Sequence, residues 1–299
     1  ALIRVLIVLR ENQTENLSLR DSVNRLATEK EALDVSSVHV LNFLRPKFSP
    51  VTANLKLVSK SHNRHDINED YFDFFKIDQN KVAMFLAQPR GEAHALPFTG
   101  LLLKQNLLEE LPASPDPGEM LGLIHRRVRA VFKQEGFAAA AFLLIADTQD
   151  HSLTYANAGI SPAVLFKAGE GPVELTGTTS LIGESNFQQP GTGFCKFDAA
   201  DKVVVFSEGL IHTEREKEGD LPEPFGLAKI QHHLLENAKE GVDTLVNGLY
   251  EKCMQWRGRD GNIPFDISIL GMEFLSQTTT PKTPEAKEEE QDKREQENH

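Results

Sequence analysis

Residues 154–159 read Thr154-Tyr155-Ala156-Asn157-Ala158-Gly159, and Pro162 follows after two more residues. The segments on either side, 153–156 and Ala163–Phe166, have the apolar composition of short buried strands. Glycine and proline interrupt regular structure between them. The stretch therefore predicts a turn that joins two strands.

Working outward from this turn, strands and helices alternate from about residue 50 to residue 275. Periodicity predicts further strands at 51–58, 81–86, 142–146, Lys202–Phe206 and Ile267–Phe274, with a hairpin turn at 147–152. It predicts helices at 96–111, 117–132, 226–237 and 242–256, the second of them capped by Asp116 and begun by Pro117. This mixture indicates an α+β domain at 46–275.

Residues 1–45 carry a heptad repeat. Nine of its thirteen seam positions are apolar, namely Leu2, Val5, Leu9, Leu19, Val23, Leu26, Leu33, Val40 and Leu44. The pattern predicts one long helix that pairs with its own copy, giving a coiled-coil homodimer. A single amphipathic helix docked on the following domain is the alternative, because long free helices are marginally stable.

The composition narrows the classes of function. The chain has 32 Lys and Arg against 44 Asp and Glu, a net charge of −12, which argues against a nucleic-acid partner. Its two cysteines, Cys195 and Cys253, suit a reducing compartment, so we expect a cytoplasmic protein. The apolar residues 1–9 are too few to span a bilayer, and a membrane tether upstream of residue 1 stays open. Residues 276–299 are acidic and poor in large apolar side chains, which predicts a disordered tail.

Seven short motifs occur in order between residues 38 and 274. They are 41–46 (Leu-Asn-Phe-Leu-Arg-Pro), 68–75 (Asn-Glu-Asp-Tyr-Phe-Asp-Phe-Phe), 154–162, 181–183 (Leu-Ile-Gly), 205–209 (Val-Phe-Ser-Glu-Gly), 224–226 (Pro-Phe-Gly) and 265–268 (Phe-Asp-Ile-Ser). In this order they resemble the SpoIIE/RsbU-type branch of the metal-dependent (PPM, protein phosphatase 2C-like) serine/threonine phosphatases. The resemblance implies a β-sandwich flanked by helices, in α-β-β-α layers.

The resemblance also implies where a metal site would lie. In that family two Mn²⁺ or Mg²⁺ ions, held by acidic side chains in a cleft between two sheets, activate a hydroxide that attacks a phosphoserine or phosphothreonine. Matching the motifs places one metal ligand at Asp70 and an altered one at Glu208. The other two family positions fall on Gln88 and Phe265, which have no carboxylate. Strand alternation predicts that Asp266 points to the opposite face.

Two hard divalent cations need several carboxylates to neutralise them, and Arg90 adds a positive charge at this site. The sequence therefore predicts a pseudophosphatase with no metal cofactor, which acts as a signalling or adaptor protein by binding a partner and by coiled-coil dimerisation. The resemblance implies a STAS-domain or other phosphoprotein regulator as that partner, which would contact residues 88–94 and the helix beginning near Leu96.

Three alternatives stay open. The first is an active but atypical Mn²⁺- or Mg²⁺-dependent phosphatase that recruits Asp73, Glu92 or Asp266. The second is a structural scaffold in a larger assembly, in which the coiled coil is the functional part. The third gives Asp70 and Glu208 ordinary roles, since acidic residues in loops commonly bond to nearby backbone.

Overall fold

The computed structural model describes residues 54–64, 69–91, 96–111, 116–161, 163–167, 171–216 and 221–276. The predicted coiled coil at 1–45 lies outside the described residues, as does the predicted acidic tail apart from residue 276. None of the helices in the described part of the chain is long and apolar enough to cross a membrane.

The described residues form twelve strands and five helices. The strands are β1 (Leu55–His62), β2 (Tyr71–Lys76), β3 (Lys81–Arg90), β4 (Ala138–Asp147), β5 (Ser152–Ala158), β6 (Ala163–Phe166), β7 (Pro172–Leu175), β8 (Gly193–Lys196), β9 (Lys202–Phe206), β10 (Glu214–Arg215), β11 (Glu223–Pro224) and β12 (Ile267–Phe274). The helices are α1 (Leu96–Glu110), α2 (Pro117–Glu135), α3 (Glu208–His212), α4 (Gly226–Glu236) and α5 (Val242–Arg257).

Ten of these strands form two antiparallel sheets. Sheet A has the order β1-β12-β9-β6-β7, and sheet B has the order β2-β3-β4-β5-β8. The strands β10 and β11 pair as a separate short hairpin. Since β5 belongs to sheet B and β6 to sheet A, the turn between them carries the chain from one sheet to the other.

A buried amide fixes this turn. The Asn157 side-chain oxygen accepts a hydrogen bond from Ile160 N at 3.0 Å, and its amide donates to Ile160 O at 3.1 Å and Leu175 O at 3.4 Å. Gly159 has φ of +86°, a left-handed conformation that favours glycine. The sequence prediction of a turn here is confirmed, and Asn157 is the side chain that holds it.

Successive side chains of a strand point to opposite faces of its sheet, and both faces of each sheet pack against other elements. A core between the sheets includes Phe74 and Phe142 from sheet B and Val205 and Leu270 from sheet A. The outer face of sheet B packs against α1 and α2, and the outer face of sheet A packs against α4 and α5. The predicted α-β-β-α layering is confirmed.

Most predicted elements lie where the sequence placed them, although β3 and β4 are each longer than the predicted 81–86 and 142–146, and two further kinds of difference occur. The first strand is Leu55–His62 and not 51–58, because it pairs along its whole length with β12, from Leu55 opposite Phe274 to His62 opposite Ile267. The sequence prediction also lacked β2, β7, β8, α3 and the β10–β11 hairpin. Helix α2 begins as predicted, with Asp116 Oδ1 accepting from Glu119 N at 2.8 Å.

Candidate functional site

A cavity of about 490 Å³ lies between the two sheets, and four of the segments that line it carry the residues of the predicted metal site. From sheet B, Asp70 directly precedes β2, and Gln88 lies near the end of β3. From sheet A, Glu208 begins α3 just after β9, and Phe265 lies two residues before β12. The structure therefore brings together all four residues that the resemblance singled out.

Asp70 is a buried carboxyl at the base of this cavity. Its Oδ1 accepts a hydrogen bond from Gln88 Nε2 at 3.4 Å, whereas its buried Oδ2 has no hydrogen-bond partner among the described residues. Burial first, and then the nearby charge of Asp266, raise the pKa of Asp70 from 3.8 to about 8, although Ser207, Ser268 and Gln88 offset part of this rise. The Asp70 carboxyl is therefore largely protonated at neutral pH.

Asp266 also lines the cavity, so the prediction that it points to the opposite face is wrong. Strand alternation does not apply to it, because β12 begins one residue later, at Ile267. Its two carboxylate oxygens accept from Arg64 N at 2.7 Å and from Glu69 N at 2.5 Å. The Asp266 carboxylate therefore binds the backbone on both sides of the 65–68 segment and lies beside Asp70.

Phe265 lines the same cavity with an exposed hydrocarbon ring. The ring lies edge-on to His212, with centroids 5.9 Å apart and an interplanar angle of 71°. Phe265 contributes no charge and no oxygen ligand at this position.

Two buried serines join the ends of β9 and β12 beneath the carboxyls. Ser207 Oγ donates to Asp266 O at 3.0 Å and accepts from Ser268 N at 2.9 Å. Next to them, a Cβ added to Gly209 would collide with the backbone carbonyl of Asp266. Sequence reasoning did not identify this serine pair, although each serine belongs to a motif that resembles the family.

The Gln88 amide links the two sheets across the cavity. Its Nε2 donates to Asp70, and its Oε1 accepts from Glu208 N at 3.3 Å. A side-chain amide carries no charge, so Gln88 does not supply the negative charge that a carboxylate at this position would supply.

Arg90 and Glu208 form an ion pair at the rim of the cavity. Arg90 Nη2 lies 3.0 Å from Glu208 Oε1 and 3.1 Å from Oε2. The two side chains are 49% and 30% exposed, so the pair is partly screened by solvent. The sequence analysis gave Glu208 as an altered metal ligand, and in the structure its carboxylate is paired with the guanidinium group of Arg90.

The alternative hypothesis would recruit Asp73, Glu92 or Asp266, and of the two that the structure describes, Asp266 lies at the site and Asp73 does not. Asp73 lies on the helix-covered side of sheet B, where it accepts from Tyr71 Oη at 3.0 Å and pairs with Lys104 Nζ at 2.9 Å. Glu92 lies outside the described residues. Among the described residues, no group of three or more His, Cys, Asp and Glu side chains has an arrangement that could hold a metal ion.

Comparison with solved structures shows the fold. The SiaA-PP2C domain of Pseudomonas aeruginosa matches with a TM-score of 0.70 and 16% identity, over 84% of this chain and 98% of that one. The RsbU and RsbW domains of a Mycobacterium tuberculosis protein match with a TM-score of 0.62 and 16% identity, over 76% of this chain and 62% of that one. RsbX in complex with magnesium matches with a TM-score of 0.56 and 15% identity, over 76% of this chain and 98% of that one.

Sequence comparison gives the family. No curated protein matches the chain significantly. The family model described as Stage II sporulation protein E (SpoIIE) matches residues 92–275, which is more than half of the chain. The chain therefore belongs to the SpoIIE family and carries a domain of the PP2C-like phosphatase fold.

Proposed function

We propose that this chain is a pseudophosphatase, a PP2C-like domain that binds a regulatory protein without hydrolysing a phosphoester. The observation that carries the proposal is the bonding of Glu208, whose two carboxylate oxygens are already paired with Arg90. A metal ion that binds Glu208 would have to displace this guanidinium or lie beside it against the repulsion of like charges.

The other donors around the cavity support the same conclusion. Gln88 is a neutral amide and Phe265 has no ligand atom, so the carboxylates in the described lining are those of Glu69, Asp70, Glu208 and Asp266. Both oxygens of Asp266 accept hydrogen bonds from backbone N–H groups, which leaves one lone pair on each for any other partner. With Arg64 and Arg90 in the same lining, these four carboxylates leave a formal net charge of −2, which is less than two divalent cations about 3.5–4 Å apart require. We infer that the residues do not fit a two-metal centre and that the protein uses no metal cofactor.

A protein partner is the second part of the proposal. The matched Mycobacterium tuberculosis structure combines RsbU with RsbW domains, which supports a regulatory protein, such as a STAS-domain or other phosphoprotein, as the partner here. The proposed contact surface is the rim of the cavity at Gln88 to Gly91 together with α1, where Leu101 and Leu108 are exposed. The heptad repeat at 1–45 would pair two copies of the chain.

A second candidate function is an active, atypical phosphatase that depends on Mn²⁺ or Mg²⁺. The position of Asp266 favours it, because this carboxylate lies beside Asp70 although the sequence predicted that it would point away. In that case Asp70 and Asp266 would be the principal metal ligands.

Phosphate release separates the two functions. The purified chain is incubated with a phosphoserine peptide and with p-nitrophenyl phosphate, in Mn²⁺, in Mg²⁺ and in chelator, beside an Asp70→Ala variant. The pseudophosphatase predicts that wild type and variant release phosphate equally slowly under all conditions. Metal-dependent release that Asp70→Ala abolishes would establish the second function instead.

A further inference from the structure

Two side chains of β3 reach across the cavity to the same residue of the opposite layer. Gln88 and Arg90 are two positions apart on the strand and therefore point to the same face of sheet B. Both contact Glu208, which follows β9 of sheet A: Gln88 through the backbone N–H, and Arg90 through both carboxylate oxygens. Residue 208 is thus held to sheet B at two points.

The ion pair also stands between two cavities. Arg90 and Glu208 line both the cavity of about 490 Å³ beside Asp70 and a neighbouring cavity of about 380 Å³. The second cavity is polar, with Ser161, Thr178 and Thr179 in its wall. The Arg90–Glu208 pair therefore lines both cavities.

The positive charge of Arg90 determines which ions can approach Glu208. A guanidinium group keeps its positive charge at all physiological pH values. A divalent cation that binds Glu208 would have to displace Arg90 from 3.0 Å and then remain close to it, with like charges repelling each other. The described lining of the first cavity also includes Arg64, which offers a comparison because it carries the same charge in the same cavity.

We propose that Arg90 takes the place of a metal cation in this cleft: by pairing with Glu208 across the two sheets, it excludes divalent metal ions. This inference deepens the proposed function, since it names the residue that makes the cleft unsuitable for metal. It predicts that the position of Arg90, and not the net charge of the cavity alone, controls the affinity for metal.

The test compares matched variants by calorimetric titration of the full chain with MnCl₂. Gln88→Asp combined with Arg90→Met restores a carboxylate and frees Glu208. Gln88→Asp combined with Arg64→Met makes the same change of charge but keeps the Arg90–Glu208 pair. We expect the first double variant to bind Mn²⁺ at least about tenfold more tightly than the second and than wild type.

Circular dichroism in chelator checks that each variant is folded, and Arg90→Gln replaces Arg90→Met where the methionine variant unfolds. Equal affinity of the two double variants, whether both bind or neither binds, would overturn the inference about Arg90. Micromolar binding by the wild-type chain would overturn the proposed function as well. The two failures are therefore distinguishable in one series of titrations.

Discussion

At the scale of a single residue, Asp70 shows how the burial of a carboxyl group lowers the stability of the folded chain. Its pKa is 3.8 in an ordinary environment and about 8 in the fold, so the folded chain binds a proton that the unfolded chain has lost. For an acid with a raised pKa, stability is fully present below pH 3.8 and is lost as the pH rises towards 8. The cost of Asp70 is therefore largest in mildly alkaline solution.

We predict that Asp70→Asn stabilises the metal-free protein, by about 1–2 kcal/mol at pH 8 and by less at pH 5. The reason is that asparagine occupies the site without a charge to bury. Denaturant unfolding in chelator at both pH values measures the effect. Asp73→Asn is the matched control and should destabilise, because it breaks the ion pair with Lys104. A loss of stability for Asp70→Asn at pH 8 would contradict this account.

Asn157 shows the opposite case, a buried polar group with its hydrogen bonds made. We predict that Asn157→Ala lowers the free energy of unfolding by about 2–4 kcal/mol, because it leaves buried backbone groups of Ile160 and Leu175 without partners. Asn80→Ala removes an exposed amide contact to Gln149 and should change stability by less than about 0.5 kcal/mol. Equal losses of unfolding free energy for Asn157→Ala and Asn80→Ala in urea would show that the Asn157 amide does not hold the turn.

Helix α2 allows a prediction at the scale of an element. Asp116 caps its N-terminus and accepts from both Glu119 N and Thr192 Oγ1, so it ties the helix to the segment that leads into β8. We predict that Asp116→Ala costs about 1 kcal/mol and that Asp116→Asn, which keeps the acceptor, costs much less. Thermal unfolding of the two variants compares them. Equal unfolding temperatures of the alanine and asparagine variants would show that the Asp116 cap does not stabilise the helix.

The elements also show how far the sequence determines the structure. Helix α2 was predictable from its apolar period and its Asp116 cap, and helix α1 and the strands Ala163–Phe166, Lys202–Phe206 and Ile267–Phe274 from their runs of apolar residues. Strand β2 was missed because Tyr-Phe-Asp-Phe-Phe-Lys shows no clear alternation, and β7 and β8 were missed because they are short edge strands with exposed side chains.

The candidate site was predictable as a set of residues but not in its contacts. Asp70, Gln88, Glu208 and Phe265 all line one cavity, as their motifs implied. Asp266 was misplaced because strand alternation was applied to residues 265 and 266, which precede β12, and both of these side chains line the cavity. The Arg90–Glu208 pair joins residues 118 positions apart, a proximity that follows from sheet topology and not from any local pattern.

At the scale of the whole molecule, the heptad repeat predicts that the chain is a dimer. We expect the full chain to sediment as a dimer and a variant with Leu19→Asp, Leu26→Asp and Leu33→Asp to sediment as a monomer, because charges at seam positions cannot pack against a partner helix. Thr28→Asp, on the face away from the seam, should leave the dimer intact. A monomeric wild-type chain would favour the single docked helix.

The central claim is that the cleft between the two sheets, as this sequence builds it, does not hold a pair of divalent cations. Calorimetric titration of the metal-free wild-type chain with Mn²⁺ measures this most directly. We predict no saturable binding tighter than about millimolar, the weak end of the range for oxygen-ligand sites. Two sites of micromolar affinity would contradict the account.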